Sequence, residues 1–157
     1  MKNKEKLIEQ VQRLLEERSQ KSLEIAKKEI LQEKMECKEV NDAFMYYVRN
    51  WNDVVHPGLI SIACEAVGGS ADEAIPMQVV MLLLTAAVDI HDDIIDESKT
   101  KYGKPTVFGR FGKDIALLVG DAFLMKALVL LHKLENQFPT EKMDAIWNII
   151  NSRFFEL

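Results

Sequence analysis

Glycine and proline are scarce. The 157 residues include 7 Gly and 4 Pro, which excludes a collagen-like, low-complexity or loop-dominated chain. Cysteine is scarcer still: Cys37 and Cys64 cannot build a disulfide framework or a zinc cluster, and such lone cysteines usually serve as small apolar core residues. Positive charge is not in excess. Lys+Arg 20 against Asp+Glu 25 leave a formal net charge of −5, which argues against nucleic acid as a partner. The longest uninterrupted apolar run, residues 79–84, reaches residue 88 only across Thr85, well short of the roughly 18 residues of a membrane span. The lysine-rich start, residues 1–6, is followed by no apolar stretch of the kind a secretory signal needs. A soluble, cytoplasmic protein without a membrane span is expected, with length for one domain, 1–157, and a real core.

What is present forms helices. Residues 3–38 are dense in Glu, Lys, Gln and Leu, with one apolar stripe at Leu7, Val11, Leu14, Leu15, Leu23, Ala26, Ile30 and Leu31. They predict one long helix, bent near residues 19–22; the heptad breaks at Arg18 and Gln20, against a coiled coil. Asn41 or Asp42 caps a second helix running to Trp51, whose aromatics read as core packing, and His56-Pro57-Gly58 marks a break. A short helix over residues 59–67 stops at Gly68-Gly69. Ser70 with Glu73 forms a capping box for a helix apolar on nearly every side, ending near Tyr102-Gly103 before Pro105. Residues 113–135 predict another buried helix, and Pro139-Thr140 opens a last one still running at Leu157. No strand with period-2 alternation is expected. The fold class is all-α.

One stripe does not suit a plain bundle. Asp89, Asp92, Asp93 and Asp96 stand at i, i+3, i+4 and i+7, so their carboxylates share a helix face. They lie in the C-terminal half of an apolar helix, where the macrodipole disfavours negative charge. Like charges so close raise one another's pKa unless a cation neutralises them, and oxygen-only ligands suit Mg²⁺. The plainer alternative is a solvated acidic helix end, balanced by Lys99, Lys101 and Lys104.

The segment HDDIIDESKTKYGKPTVFGRFGKDIALLVGDAFL, residues 91–124, resembles trans-polyprenyl diphosphate synthases. DDIID matches the family's first DDxxD motif, and GKPT, RFG and GDA follow at the family's spacing; weaker similarity extends upstream through HPGLISIACEAVGG. The resemblance implies an all-α helical bundle of the isoprenoid synthase type around a central cavity. It also implies Mg²⁺-dependent ionisation of an allylic diphosphate and attack by isopentenyl diphosphate on the cation. By that match Asp92, Asp93 and Asp96 hold the metal. Lys101 contacts diphosphate, and small residues at Ala86, Ala87 and Val88 make the cavity deep. Asp89 either supports these residues or is a core-edge aspartate bonded locally.

The sequence also departs from the family. Where a basic GKRxRP stretch binds isopentenyl diphosphate, this chain has Asn52-Asp53-Val54-Val55-His56-Pro57. Asp53 there would repel a diphosphate, and His56 is either a diphosphate contact or a turn residue. Thr85 stands for a histidine, and the arginine pair after the motif is Lys101-Tyr102, which loses the bidentate fork. No second aspartate-rich motif follows: after Asp121 the only aspartate is Asp144. The expectation is therefore the N-terminal half of the bundle, needing a homo- or hetero-oligomeric partner. Terpene cyclase-like ionisation without isopentenyl diphosphate, or a non-catalytic subunit of a heteromeric prenyl diphosphate synthase, are the competing readings.

Overall fold

The computed structural model describes residues 2–154. Its helices are α1 (Lys2–Leu31), α2 (Lys38–Asn50), α3 (Val55–Ala66), α4 (Ala71–Ile95), α5 (Val107–Phe111), α6 (Lys113–Leu134) and α7 (Thr140–Phe154). Two strands of two residues each, β1 (Thr100–Lys101) and β2 (Lys104–Pro105), form a small antiparallel hairpin between α4 and α5. The all-α expectation holds, with that hairpin as its one exception among the described residues.

The bundle is organised on α4, whose most extensive packing partners are α6 and α3, while α1 lies against both α3 and α4. Apolar residues on every side of α4 explain this. Val79, Leu82, Leu83, Ala86, Ala87 and Ile90 are all buried in the main core with Phe44, Trp51, Ala116, Val119 and Phe123. Phe123 of α6 stacks on Phe44 at 5.2 Å between centroids and meets Tyr47 and Trp51 edge-on at 5.1 and 5.5 Å. A smaller cluster of Val80, Leu131, Leu134 and Met143 attaches α7. Gln78, fully buried, donates from Nε2 to the carbonyls of Arg18 and Pro57 and so ties α4 to α1 and α3. By length and composition α4 and α6 could each cross a membrane, although no uninterrupted apolar run does. Core helices have the same character, and these two pack against each other more extensively than any other pair.

Several sequence expectations shift. The first helix ends at Leu31 rather than near residue 38. There Lys126 of α6 takes Glu29 and Glu33 at 3.2 and 2.6 Å, a tertiary contact no local signal announces. The second helix starts at Lys38, with Cys37 at the cap position and no side-chain cap bond, so Asn41 and Asp42 lie inside it. His56-Pro57-Gly58 is not a break but the first turn of α3, where proline's missing N–H has no intrahelical partner to lose. The chain reverses earlier, at residues 51–54. The Ser70–Glu73 capping box is present in full. Phe155 and Leu157 lie outside the described residues.

α4 also ends earlier than expected, at Ile95 with Asp96 as C-cap, instead of reaching Tyr102. Tyr102 and Gly103 form the two-residue hairpin turn, both with positive φ (51° and 75°), as a type I′ turn requires. Glycine at 109 lets the backbone of α5 close on the strand that carries Lys101: an added Cβ would collide with the Lys99 carbonyl.

Candidate diphosphate and metal site

The helical spacing of the aspartates and the hairpin turn together build the site. Lys101 on β1 is swung back over the end of α4, placing its Nζ 2.8 Å from Asp89 Oδ1, 2.8 Å from Asp93 Oδ1 and 3.9 Å from Asp92 Oδ2. The contact with Asp89 is a hydrogen bond; that with Asp93 has ion-pair distance without hydrogen-bond geometry. Asp93 is the buried member, its side chain 5% exposed, and its Oδ1 has no hydrogen-bond donor.

Burial pushes the Asp93 carboxyl above the ordinary aspartate range; Lys101 opposes this, and Asp89 and Asp92 add to it. Desolvation acts to lower the Lys101 ammonium, but its interactions with the Asp89 and Asp93 carboxylates outweigh it and hold the group above its usual value. Tyr47 is likewise raised, first by burial and then by the field of Asp89, Asp53 and Asp93.

An open cavity of about 760 Å³ lies against this group. Its lining includes Asp89, Asp93, Lys101, Lys104, Thr85 and Ala86 together with Tyr46, Tyr47, Trp51, Asp53 and His56. Of the six residues singled out in the sequence, Asp89, Asp93, Lys101 and His56 face one cavity, and Asp92 reaches its edge through Lys101. Asp96, exposed at the helix C-cap, is not among the lining residues. Ala86 lines the cavity, whereas Ala87 is core and Val88 exposed.

A hard divalent cation fits this donor set in kind. All the donors are carboxylate oxygens, a cationic ammonium already stands among three of them, and the buried Asp93 Oδ1 lacks a hydrogen-bond donor. With Lys101 in place, no three His, Cys, Asp or Glu side chains converge as a metal-binding group among the described residues.

Sequence reasoning did not place the aromatic wall. Tyr47 and Trp51 both pack on Phe123 and face the cavity, and the Tyr46 hydroxyl donates to the Pro105 carbonyl of the hairpin. Their one-turn spacing with Phe44 on α2 was the available signal. Nor was Asp53 placed: its carboxylate bonds His56 and Thr85, joining residues 32 apart.

The chain is 33% identical over 99 residues to the geranylgeranyl diphosphate synthase of Methanosarcina mazei, covering 63% of this chain and 31% of that protein. It is 36% identical over 87 residues to the Arabidopsis thaliana chloroplastic heterodimeric geranylgeranyl pyrophosphate synthase large subunit 1, covering 54% and 24%. The solved geranylgeranyl pyrophosphate synthetase from Pyrococcus horikoshii superposes with a TM-score of 0.76 at 27% identity, over 91% of this chain and 43% of that one. The chain thus spans less than half the length of these relatives. The polyprenyl synthetase family model matches residues 37–156, which includes α2 to α6, the hairpin and every residue of the site just described. The fold is accordingly that of the all-α isoprenoid synthases, and the chain belongs to the polyprenyl synthetase family.

Proposed function

We propose that this chain provides the allylic-diphosphate half-site of a prenyltransferase of isoprenoid biosynthesis, working in the cytoplasm with Mg²⁺. The observation that carries the reading is the group of Asp89, Asp92 and Asp93 around the Lys101 ammonium, beside a cavity also lined by Tyr46, Tyr47 and Trp51. Asp92 and Asp93, with Asp96 from the next turn, would hold Mg²⁺, which neutralises the diphosphate as it leaves the allylic carbon. Lys101, which now pairs with Asp89 and Asp93, would contact the diphosphate. Tyr46, Tyr47 and Trp51, which line the cavity, would keep water from the prenyl chain. Asp89 tethers Lys101 at the cavity edge.

One feature supports a partner: α6 leaves Leu117, Leu118, Met125 and Val129 exposed. We propose that a second copy or a different chain of the same fold covers this face. The Arabidopsis relative is itself a subunit of a heterodimer, which supports a second reading: a chain that acts only within a hetero-oligomer. Turnover of an allylic diphosphate by the purified chain, with products analysed with and without isopentenyl diphosphate, separates the readings. Mg²⁺-dependent turnover supports the enzyme half-site. Binding without turnover, restored by a partner chain, supports the subunit.

A further inference from the structure

The hairpin pairs Lys101 with Lys104 directly across its two strands. Like charges at such positions destabilise a sheet, yet both lysines line the cavity. Lys101 is neutralised by Asp89 and Asp93, each at 2.8 Å. Lys104 is not: its Nζ donates to the neutral Asn50 Oδ1 at 3.1 Å, and it makes no ion pair among the described residues. Asn50 is oriented for this contact, because its Nδ2 donates to the Tyr46 carbonyl one turn back on α2 at 2.8 Å. The Tyr46 hydroxyl in turn donates to the carbonyl of Pro105, the neighbour of Lys104. A second cation joins the same tyrosine. The Arg110 guanidinium of α5 lies 4.5 Å from the centroid of the Tyr46 ring, and it too makes no ion pair among the described residues.

Asp53 also lines the cavity, in the segment where the sequence lacks the basic stretch. Its Oδ1 accepts the backbone N–H groups of Val55 (3.1 Å) and His56 (3.3 Å). Its Oδ2 accepts the Thr85 hydroxyl at 3.1 Å and lies 2.8 Å from His56 Nδ1. The donors there are engaged by a carboxylate, which repels a phosphate. Of the lysines lining the cavity, only Lys104 has no carboxylate partner. In a chain of net charge −5, two cations gathered on Tyr46 and left without acids are a place for an anion.

We propose that Lys104 and Arg110 together anchor the diphosphate of isopentenyl diphosphate, in place of the basic stretch that this chain lacks. This rests on the reading of the aspartate group as the allylic-diphosphate site. The allylic diphosphate must leave its carbon, and a divalent cation neutralises it as it does so. The acceptor's diphosphate stays bonded to its own carbon, so an ammonium and a guanidinium suffice to hold it without metal. Residues opposite each other in an antiparallel pair have Cβ atoms about 5 Å apart. The hairpin therefore sets the acceptor's anchor, Lys104, beside Lys101 and the aspartates, away from the repelling carboxylate of Asp53. Asn50 and Tyr46 are positioning residues that hold Lys104 and Arg110 in place.

The test is calorimetric titration of the full chain with isopentenyl diphosphate in the presence of a chelator. Wild type should bind it saturably. Lys104→Gln keeps an N–H donor for Asn50 and removes the charge, and Arg110→Gln removes the second cation; each should weaken binding about tenfold. Lys104→Arg should retain the wild-type affinity. So should Lys38→Gln, which removes a cation at the opposite end of α2 from Asn50. No saturable binding by the wild type, wild-type affinity in Lys104→Gln or in Arg110→Gln, or an equal loss in Lys38→Gln would each overturn the proposal. A separate titration of the wild type with an unreactive allylic diphosphate analogue and Mg²⁺ tests the reading on which it rests. Absence of that binding, while Lys104→Gln still weakens isopentenyl diphosphate, removes the allylic half-site and leaves the hairpin as a diphosphate anchor.

Discussion

The ammonium of Lys101 lies 2.8 Å from the Oδ1 of Asp93, a buried carboxylate oxygen, as an ion pair without hydrogen-bond geometry. The same ammonium is bonded to Asp89, so the site carries its own cation, tethered on a hairpin that the β-turn at Tyr102-Gly103 folds back over α4. A divalent ion must displace it. Lys101→Met should therefore bind Mg²⁺ about tenfold more tightly without diphosphate, a change of about 1.4 kcal/mol. Without metal the variant should be less stable by about 1–3 kcal/mol, because a buried charged acceptor loses its partner. Thermal melts with and without Mg²⁺ check both effects: Mg²⁺ should raise the variant's Tm more than the wild type's. An equal Mg²⁺ response in both proteins would show that Lys101 does not compete.

Gly109 matters for the same hairpin. A Cβ there meets the backbone carbonyl of Lys99, two residues before Lys101, so the strand must move away from α5. Gly109→Ala should cost about 1–3 kcal/mol by this backbone clash. It should also loosen the Lys101–Asp93 contact, whereas Ser70→Ala, which removes a cap at the far end of α4, should cost about 1 kcal/mol without touching the site. Urea denaturation measures the first quantity, and the ¹H–¹⁵N spectrum of the hairpin reads the second.

Lys126 pins the end of α1 to α6, and its pH signature is specific. Desolvation acts against its charge, but the hydrogen bonds it donates to Glu33 and Glu29 and their negative charge raise the ammonium above its ordinary 10.5. The stability it contributes is present below 10.5 and is lost as pH rises through the raised value. Glu33 is lowered from 4.5 by the hydrogen bond from Lys126, so its share is present above 4.5 and is lost as pH falls through the lowered value. The Tm difference between wild type and Lys126→Met should thus be a plateau between 4.5 and 10.5 that closes at both ends. Partly exposed glutamates limit its height to about 1 kcal/mol.

The helices were legible where periodicity and capping agree. The capping box at Ser70 and the apolar circumference of α4 each announce a local energy, and both are found as read. The end of α1 was not legible, because Lys126 of α6, 93 residues from Glu33, helps fix the turn that follows it. The hairpin escaped for a related reason: two-residue strands have no alternation to read, and only the Tyr102-Gly103 turn chemistry marks them. In the site, helical spacing placed Asp89, Asp92 and Asp93 on one face, yet only the folded hairpin shows Lys101 standing among them. His56 was singled out as a diphosphate contact or turn residue. Its bond to Asp53, and through that carboxylate its link to Thr85, depends on the packing of α3 on α4.

In the proposed half-site these aspartates hold an allylic diphosphate through Mg²⁺. Calorimetric titration of the purified chain with an unreactive allylic diphosphate analogue tests it most directly, run with Mg²⁺, with a chelator, and on the Asp92→Asn/Asp93→Asn variant. Saturable binding that needs both Mg²⁺ and the two aspartates is expected. Binding of equal strength in chelator or in the folded double variant would contradict it.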